Sequence, residues 1–288
     1  MNRISGANFA VASGASPLVA PAGVAVFQDL NLGTNTPGTY PNALWFTGAQ
    51  ESIMAVLAAA GIAPADTDNT QLLAAIRAVP AGRFLNVQVF TASGVYTPTP
   101  GTNSVIVTAV GGGGAGGGAP ATGSGAYSVT SGGQAGATAR GRFTAGFSGL
   151  AVTIGGGGVP APGGTGGSGG TSSLGTLISS PGGAGGGVAG PSSSAPINSL
   201  VAYVGSPPAG GNIFQTVGHA GSIGACNPPS GIAYGGRGGS TAFGGGGVWE
   251  GTAQGYGSGG GGQGNSQNSA AVLGYSGTQG IVFIEEYS

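Results

Sequence analysis

Hydrophobic positions recur with a helical period over only one part of the chain. In ALWFTGAQESIMAVLAAA (Ala43–Ala60), Phe46, Ile53, Val56, Leu57 and Ala60 fall at spacings of three, four and seven, which places them on one stripe. Gly61 follows as a C-terminal cap, and Pro64 lies three residues further on. DNTQLLAAIRAV (Asp68–Val79) opens with Asp68 at the N-cap and Gln71 at N3, a capping-box arrangement, and Leu72, Ala75, Ile76 and Val79 form a second stripe. Two short helices with a brief connection predict an αα-hairpin. Its core is too small to stand alone. Phe46, Ile53, Val56, Leu57, Leu72 and Ile76 are therefore expected at a self-association interface, with a trimer supplying the missing burial.

Before Asn42 the pattern is neither helical nor alternating. Small apolar residues mix with turn formers such as NTPGTYPN (Asn35–Asn42), which predicts an extended arm over residues 1–41. The helical hairpin then occupies 42–83. From Phe84 onward β-branched runs appear. VQVFTASGVYTPTPGTNSVIVTAV (Val87–Val110) reads as two strands around a Thr-Pro-Thr-Pro-Gly turn. GRFTAGFSGLAVTIG (Gly141–Gly155) reads as another pair, and GTQGIVFIEEYS (Gly277–Ser288) alternates into a last strand.

Between these strands the pattern is set by glycine. GGTGGSGGT (Gly163–Thr171) repeats a Gly-Gly-X triplet, and GGRGGS followed by TAFGGG (Gly235–Gly246) does the same. PGGAGGG (Pro181–Gly187) and VGGGGAGGG (Val110–Gly118) are related tracts. A polyproline-II-type helix has three residues per turn, so a period of three leaves one ridge with side chains and two of bare backbone. Bare ridges approach closely and bond N–H to C=O laterally, which satisfies groups that are costly to bury unpaired. This predicts Thr165, Ser168 and Thr171 along one exposed edge, and Arg237, Ser240 and Phe243 along another. Each run lasts only a few triplets, too short for collagen. The fold class expected is mainly β and irregular with a short α-helical hairpin: an extended arm, two helices, then a domain (84–288) of short strands and packed polyglycine-II-type rods. A β-sandwich with glycine merely in its loops is the competing architecture.

Composition narrows the chemistry. Glycine supplies 68 of 288 residues, yet charged residues make up only 5%, unlike a chain kept open by its charge. Six arginines and no lysine give no basic cluster for phosphates, so nucleic acid is not expected as a partner. No apolar run has the length of a membrane span, and the N-terminus lacks a signal-peptide pattern. Without lysine there is no P-loop, and GxGxxG spacings arise by chance in so glycine-rich a chain. His219 and Cys226 are the single histidine and cysteine, and no carboxylate near them in sequence completes a catalytic group. Glu285 and Glu286 fall on opposite faces of the last strand and cannot form a glycosidase acid pair. No cluster of oxygen ligands for a metal is present. The expectation is a protein without catalysis, metal or cofactor.

Aromatics offer the alternative. Tyr127, Tyr203, Phe214, Tyr234, Trp249 and Tyr256 fall in loop-like segments among Gly, Ser and Asn, the composition of a recognition surface. Trp249 is the one most expected at a rod end.

The end motifs of the chain resemble those of tail fibre proteins of tailed bacteriophages with a glycine-rich receptor-binding tip. In the N-terminal part these are Pro37-Gly38-Thr39, Trp45, Gln50-Glu51, Ala60-Gly61-Ile62-Ala63-Pro64 and Asp68 to Leu72. In the C-terminal part they are Phe90–Pro98, Val105–Gly114 and Gly280–Tyr287; the middle is similar in composition alone. The resemblance implies a homotrimer in the virion tail, made in the host cytoplasm. Its arm (Arg3, Ile4, Phe9, Phe27) would dock on tail or baseplate proteins. Its tips (Tyr127, Tyr203, Phe214, His219, Tyr234, Trp249, Tyr256) would contact lipopolysaccharide or an outer-membrane protein. Unlike longer fibres, the chain carries no extended coiled-coil or β-helical shaft. A purely structural short fibre, and an adhesin capping a longer fibre, are the other readings.

Overall fold

A computed structural model describes residues 43–65, 67–78, 82–194, 197–200, 205–227 and 231–288. The expected arm, with Arg3, Ile4, Phe9 and Phe27, lies outside the described residues. The chain divides into two compact units, Met1–Ala81 and Gly82–Ser288. The described structure is mostly β, with two helices and small antiparallel sheets.

In the first unit α1 (Ala43–Ala59) packs on α2 (Gln71–Ala78). The end of α1 is a Schellman motif: the Ile62 N–H donates to the Leu57 carbonyl and the Gly61 N–H to that of Ala58, both at 3.0 Å. Gly61 sits at φ 67, in the left-handed region that favours glycine. The start of α2 differs from the expected capping box. The first helical bond runs from Ala74 N–H to Thr70 C=O, so Thr70 is the cap. Asp68 lies outside the helix, where its carboxylate accepts from the Thr70 N–H and hydroxyl at 2.8 and 2.6 Å. Gln71, buried, turns back instead to the connection, accepting from Ala65 N–H and donating to Ala63 C=O. Leu57 is buried with Ala75 and Gln71 inside the unit. The expectation that Leu57 faces a trimer partner is therefore corrected: its own hairpin has already taken it. Ile53 and Val56 are half-buried, and Phe46, Leu72 and Ile76 are exposed.

The second unit opens with a five-stranded antiparallel sheet, ordered Phe84–Phe90, Ile281–Tyr287, Ser104–Val110, Thr138–Phe143, Phe214–Thr216. The two strands expected around the Thr-Pro-Thr-Pro-Gly turn do not pair with each other; the closing strand lies between them. Alternation along these strands aims Val105, Val107, Ala109, Val282 and Ile284 at a second sheet, built from Gly94–Val95, Ala151–Thr153, Ser172–Leu174 and Ile178–Ser180. Tyr96, Phe147, Val152, Leu174 and Ile178 fill the space between.

One carboxylate is buried there. Glu286 accepts from the Tyr96 hydroxyl at 2.6 Å, from the Thr99 N–H and hydroxyl, and from the Gln88 amide. Burial by itself would raise its pKa, but the hydrogen bonds from Thr99, Tyr96 and Asn86 outweigh it and hold the carboxyl below its ordinary value. Burial and the Glu286 charge push the Tyr96 phenol up. Glu285, on the other face, pairs with Arg140 at 2.8 Å.

From these sheets the chain runs to and fro in glycine-rich segments that are neither helix nor strand. Residues 110–119 show the rule. The N–H groups of Gly111, Gly114 and Gly117 donate to Ala137, Gln134 and Ser131; those of Gly112, Ala115 and Gly118 to Gly170, Gly167 and Gly164; those of Gly113 and Gly116 to Thr278 and Tyr275. Each third residue returns to the same neighbour, three residues back along it. The carbonyls of Gly112, Gly113, Gly114 and Ala115 accept in turn from Gly183, Gly158, Gly260 and Gly186. Buried backbone is thus paired without a sheet. The close approach needs glycine: a Cβ on Gly113 would lie 2.0 Å from the Ser258 carbonyl oxygen, and one on Gly116 1.9 Å from that of Gly261. Thr165, Ser168 and Thr171 are exposed, as are Arg237, Ser240 and Phe243.

These segments, some parallel and some antiparallel to their neighbours, give the unit two ends. The near end holds the five-stranded sheet and Gly82. At the far end lie two three-stranded sheets, Gly264–Asn265 with Tyr127–Thr130 and Val188–Ser192, and Ile197–Asn198 with Ala225–Asn227 and Ile232–Tyr234. They enclose a small cluster of Tyr127, Val129, Ile197 and Cys226.

Candidate functional site

The far end carries an exposed cluster of Tyr234, Arg237 and Trp249. Tyr234 ends the strand Ile232–Tyr234, opposite Ala225, and is 49% exposed because its neighbour Ala233 takes the inward position. The glycine-rich segment that follows brings Arg237 level with Ser222. The Arg237 N–H donates to the Ser222 hydroxyl, and the Arg237 carbonyl accepts from the Ser222 N–H, each at 2.7 Å. Trp249 sits in a tight turn closed by Gly251 N–H donating to Val248 C=O, and it is 57% exposed. Glu250 completes that turn at φ 49, a region costly for a side chain. The Tyr234 and Trp249 rings lie 5.8 Å apart at 40°, and the Arg237 guanidinium stands 5.0 Å over the indole. A cation over an indole face is an attractive arrangement that also fixes the guanidinium. Ile223, Ile232 and Val248 are exposed nearby in the chain.

The other expected tip residues do not join this cluster. Tyr127 is corrected: it is buried in the far-end core, on a strand paired to both neighbours, and is not available at the surface. Phe214 is exposed, but it belongs to the edge of the five-stranded sheet, opposite Arg140, at the near end. Tyr256 is half-buried; its N–H donates to Phe243 C=O, and the Phe243 ring packs at 5.1 Å on Phe283 of that same sheet. His219 is exposed, with its carbonyl accepting from Ala135 N–H. Tyr203 lies outside the described residues. Of the expected tips, Tyr234 and Trp249 are the pair that the fold brings together.

The triplet pattern predicts Arg237 as a ridge residue and not as a partner of Trp249. The available signal was a single basic side chain interrupting an otherwise bare glycine repeat. Cys226 is buried, which pushes its thiol pKa up, and among the described residues no hydrogen bond joins it to His219. Among the described residues no group of three or more His, Cys, Asp or Glu is placed to hold a metal, and no helix is long and apolar enough to cross a membrane. The arrangement suits recognition: two aromatic faces, one guanidinium fork and a rigid support.

No protein-family model matches the chain, and no curated protein matches it.

Proposed function

We propose that the protein is a receptor-binding tail fibre of a tailed bacteriophage. On this reading it attaches to the tail or baseplate through its N-terminal arm and binds a bacterial surface molecule through the far end of its second unit. The observation that carries the reading is the exposed Tyr234–Arg237–Trp249 cluster at the end opposite Gly82, where the chain enters. The glycine-rich segments act as packed polyglycine-II-type rods. The three-residue rotation of hydrogen-bond partners supports this, because three residues per turn sends successive N–H groups to three sides. At about 3.1 Å per residue, a segment of eight to nine residues holds the cluster roughly 25 Å from the near-end sheet. A homotrimer is supported by Leu72, Leu73 and Ile76, exposed together on α2.

The full-length chain, added in excess, is expected to block adsorption of the phage that carries it. The Trp249→Ala protein is expected to block at least tenfold less well while melting like the parent. Unimpaired adsorption at saturating protein would reject the reading.

A further inference from the structure

Building on the receptor-binding reading, we infer that the far-end cluster takes an acidic saccharide, a sugar ring bearing a carboxylate or a phosphate. A pyranose has an apolar C–H face and a polar rim. Tyr234 and Trp249 are about half exposed, and each ring has an apolar body and one polar handle, which suits both parts. Asn198 continues the polar rim, because it pairs with Ala225, which pairs with Tyr234, so all three lie in one row on the same face of the sheet.

The acidic group is assigned from Arg237. Among the described residues of this unit, Arg83, Arg140 and Arg142 belong to the near end, which leaves Arg237 as the basic side chain of the far end. Among the described residues no ion pair occupies it. Glu285 is paired with Arg140 and Glu286 is enclosed by Tyr96 and Thr99, both at the other end. A guanidinium already held over an indole, on a backbone pinned twice by Ser222, presents a planar fork that binds a carboxylate or phosphate through two parallel N–H donors. A lone cation is far too little for a polyphosphate backbone, which excludes nucleic acid.

Calorimetry on the full chain with three probes tests this: oligogalacturonate for the carboxylate, phosphorylated mannan oligomers for the phosphate, and malto-oligosaccharides as the neutral control. At least tenfold tighter binding of one acidic probe than of the neutral one is expected, weakening as salt rises. Which acidic probe binds identifies the anion. Arg237→Gln is expected to bring acidic binding down to the neutral level, and Trp249→Ala to abolish both, with melting unchanged. Equal binding of acidic and neutral probes, or no saccharide binding by a chain that still blocks adsorption, overturns the inference alone. In the second case a protein receptor takes its place. Acidic binding without any block of adsorption would keep the inference and remove the receptor reading.

Discussion

The near-end sheets and the glycine-rich segments solve the same problem with opposite materials. Between the two sheets, Val107, Leu174, Ile178 and Ile284 exclude water by side-chain volume, and the backbone bonds along strands. In the segments there is almost no side chain to bury, and the contacts are carbonyl against Cα. The first design tolerates changes of shape within limits of volume. The second tolerates no added atom at its inward positions, such as Gly113 and Gly116, because the space a Cβ would take there is already filled by a neighbour's main chain. Glycine also loses more freedom on folding than any other residue, so each segment depends on complete hydrogen bonding and on the sheets at its ends.

That contrast is broken most severely inside the network. Gly113→Val is expected to cost about 3 kcal/mol or more, since its Cβ would meet the Ser258 carbonyl. Gly156→Ala and Gly245→Ala, where nothing lies within 4 Å, are expected to stay within about 0.5 kcal/mol of the parent. Denaturant melts of the three proteins make the comparison. In the sheets, Leu174→Ala creates a cavity and is expected to cost about 2–5 kcal/mol, with a cooperative melt retained.

Glu286 sharpens the comparison through pH. Its folded pKa is depressed, so its contribution is complete above the unfolded carboxylate value, near 4.5, and fades as pH falls through the lower folded value. Thermal melts of the parent should therefore fall in the acid range, and Glu286→Gln should flatten that fall at a cost of about 1–3 kcal/mol at neutral pH. The smallest effect belongs to the far-end turn. Glu250→Gly is expected to raise stability by up to about 1 kcal/mol, because glycine takes the positive φ without strain.

What could be read in advance follows the same division. The helices were legible because Ile53, Val56 and Leu57 keep a helical period, and the Gly61 cap because a single residue type serves it. The start of α2 was missed by two residues. Asp68 and Gln71 satisfy the capping-box spacing, but Thr70 offers the carbonyl that closes the first turn while Gln71 is drawn into the connection. The exposed edge of Thr165, Ser168 and Thr171 follows directly from the triplet. The short far-end strands left no trace, because three residues cannot show alternation and their neighbours are glycine. Tyr127 was misplaced for that reason: nothing around AYSVT signals a core, which forms only when Ile197 and Cys226 arrive from distant parts of the chain. The Arg237–Trp249 contact likewise joins residues twelve apart across a reversal of direction that the sequence does not announce.

The first and last strands of the second unit are neighbours along their whole length, and Gly82 is bonded to Ser288 at their shared end. Suppose a particle hangs by the chain entering at Gly82 while the opposite tip is gripped. The pull then runs lengthwise along both strands, so every rung from Phe84 to Phe90 resists at once instead of opening one by one. A body built so largely of the softest residue is thereby given a fastening suited to tension.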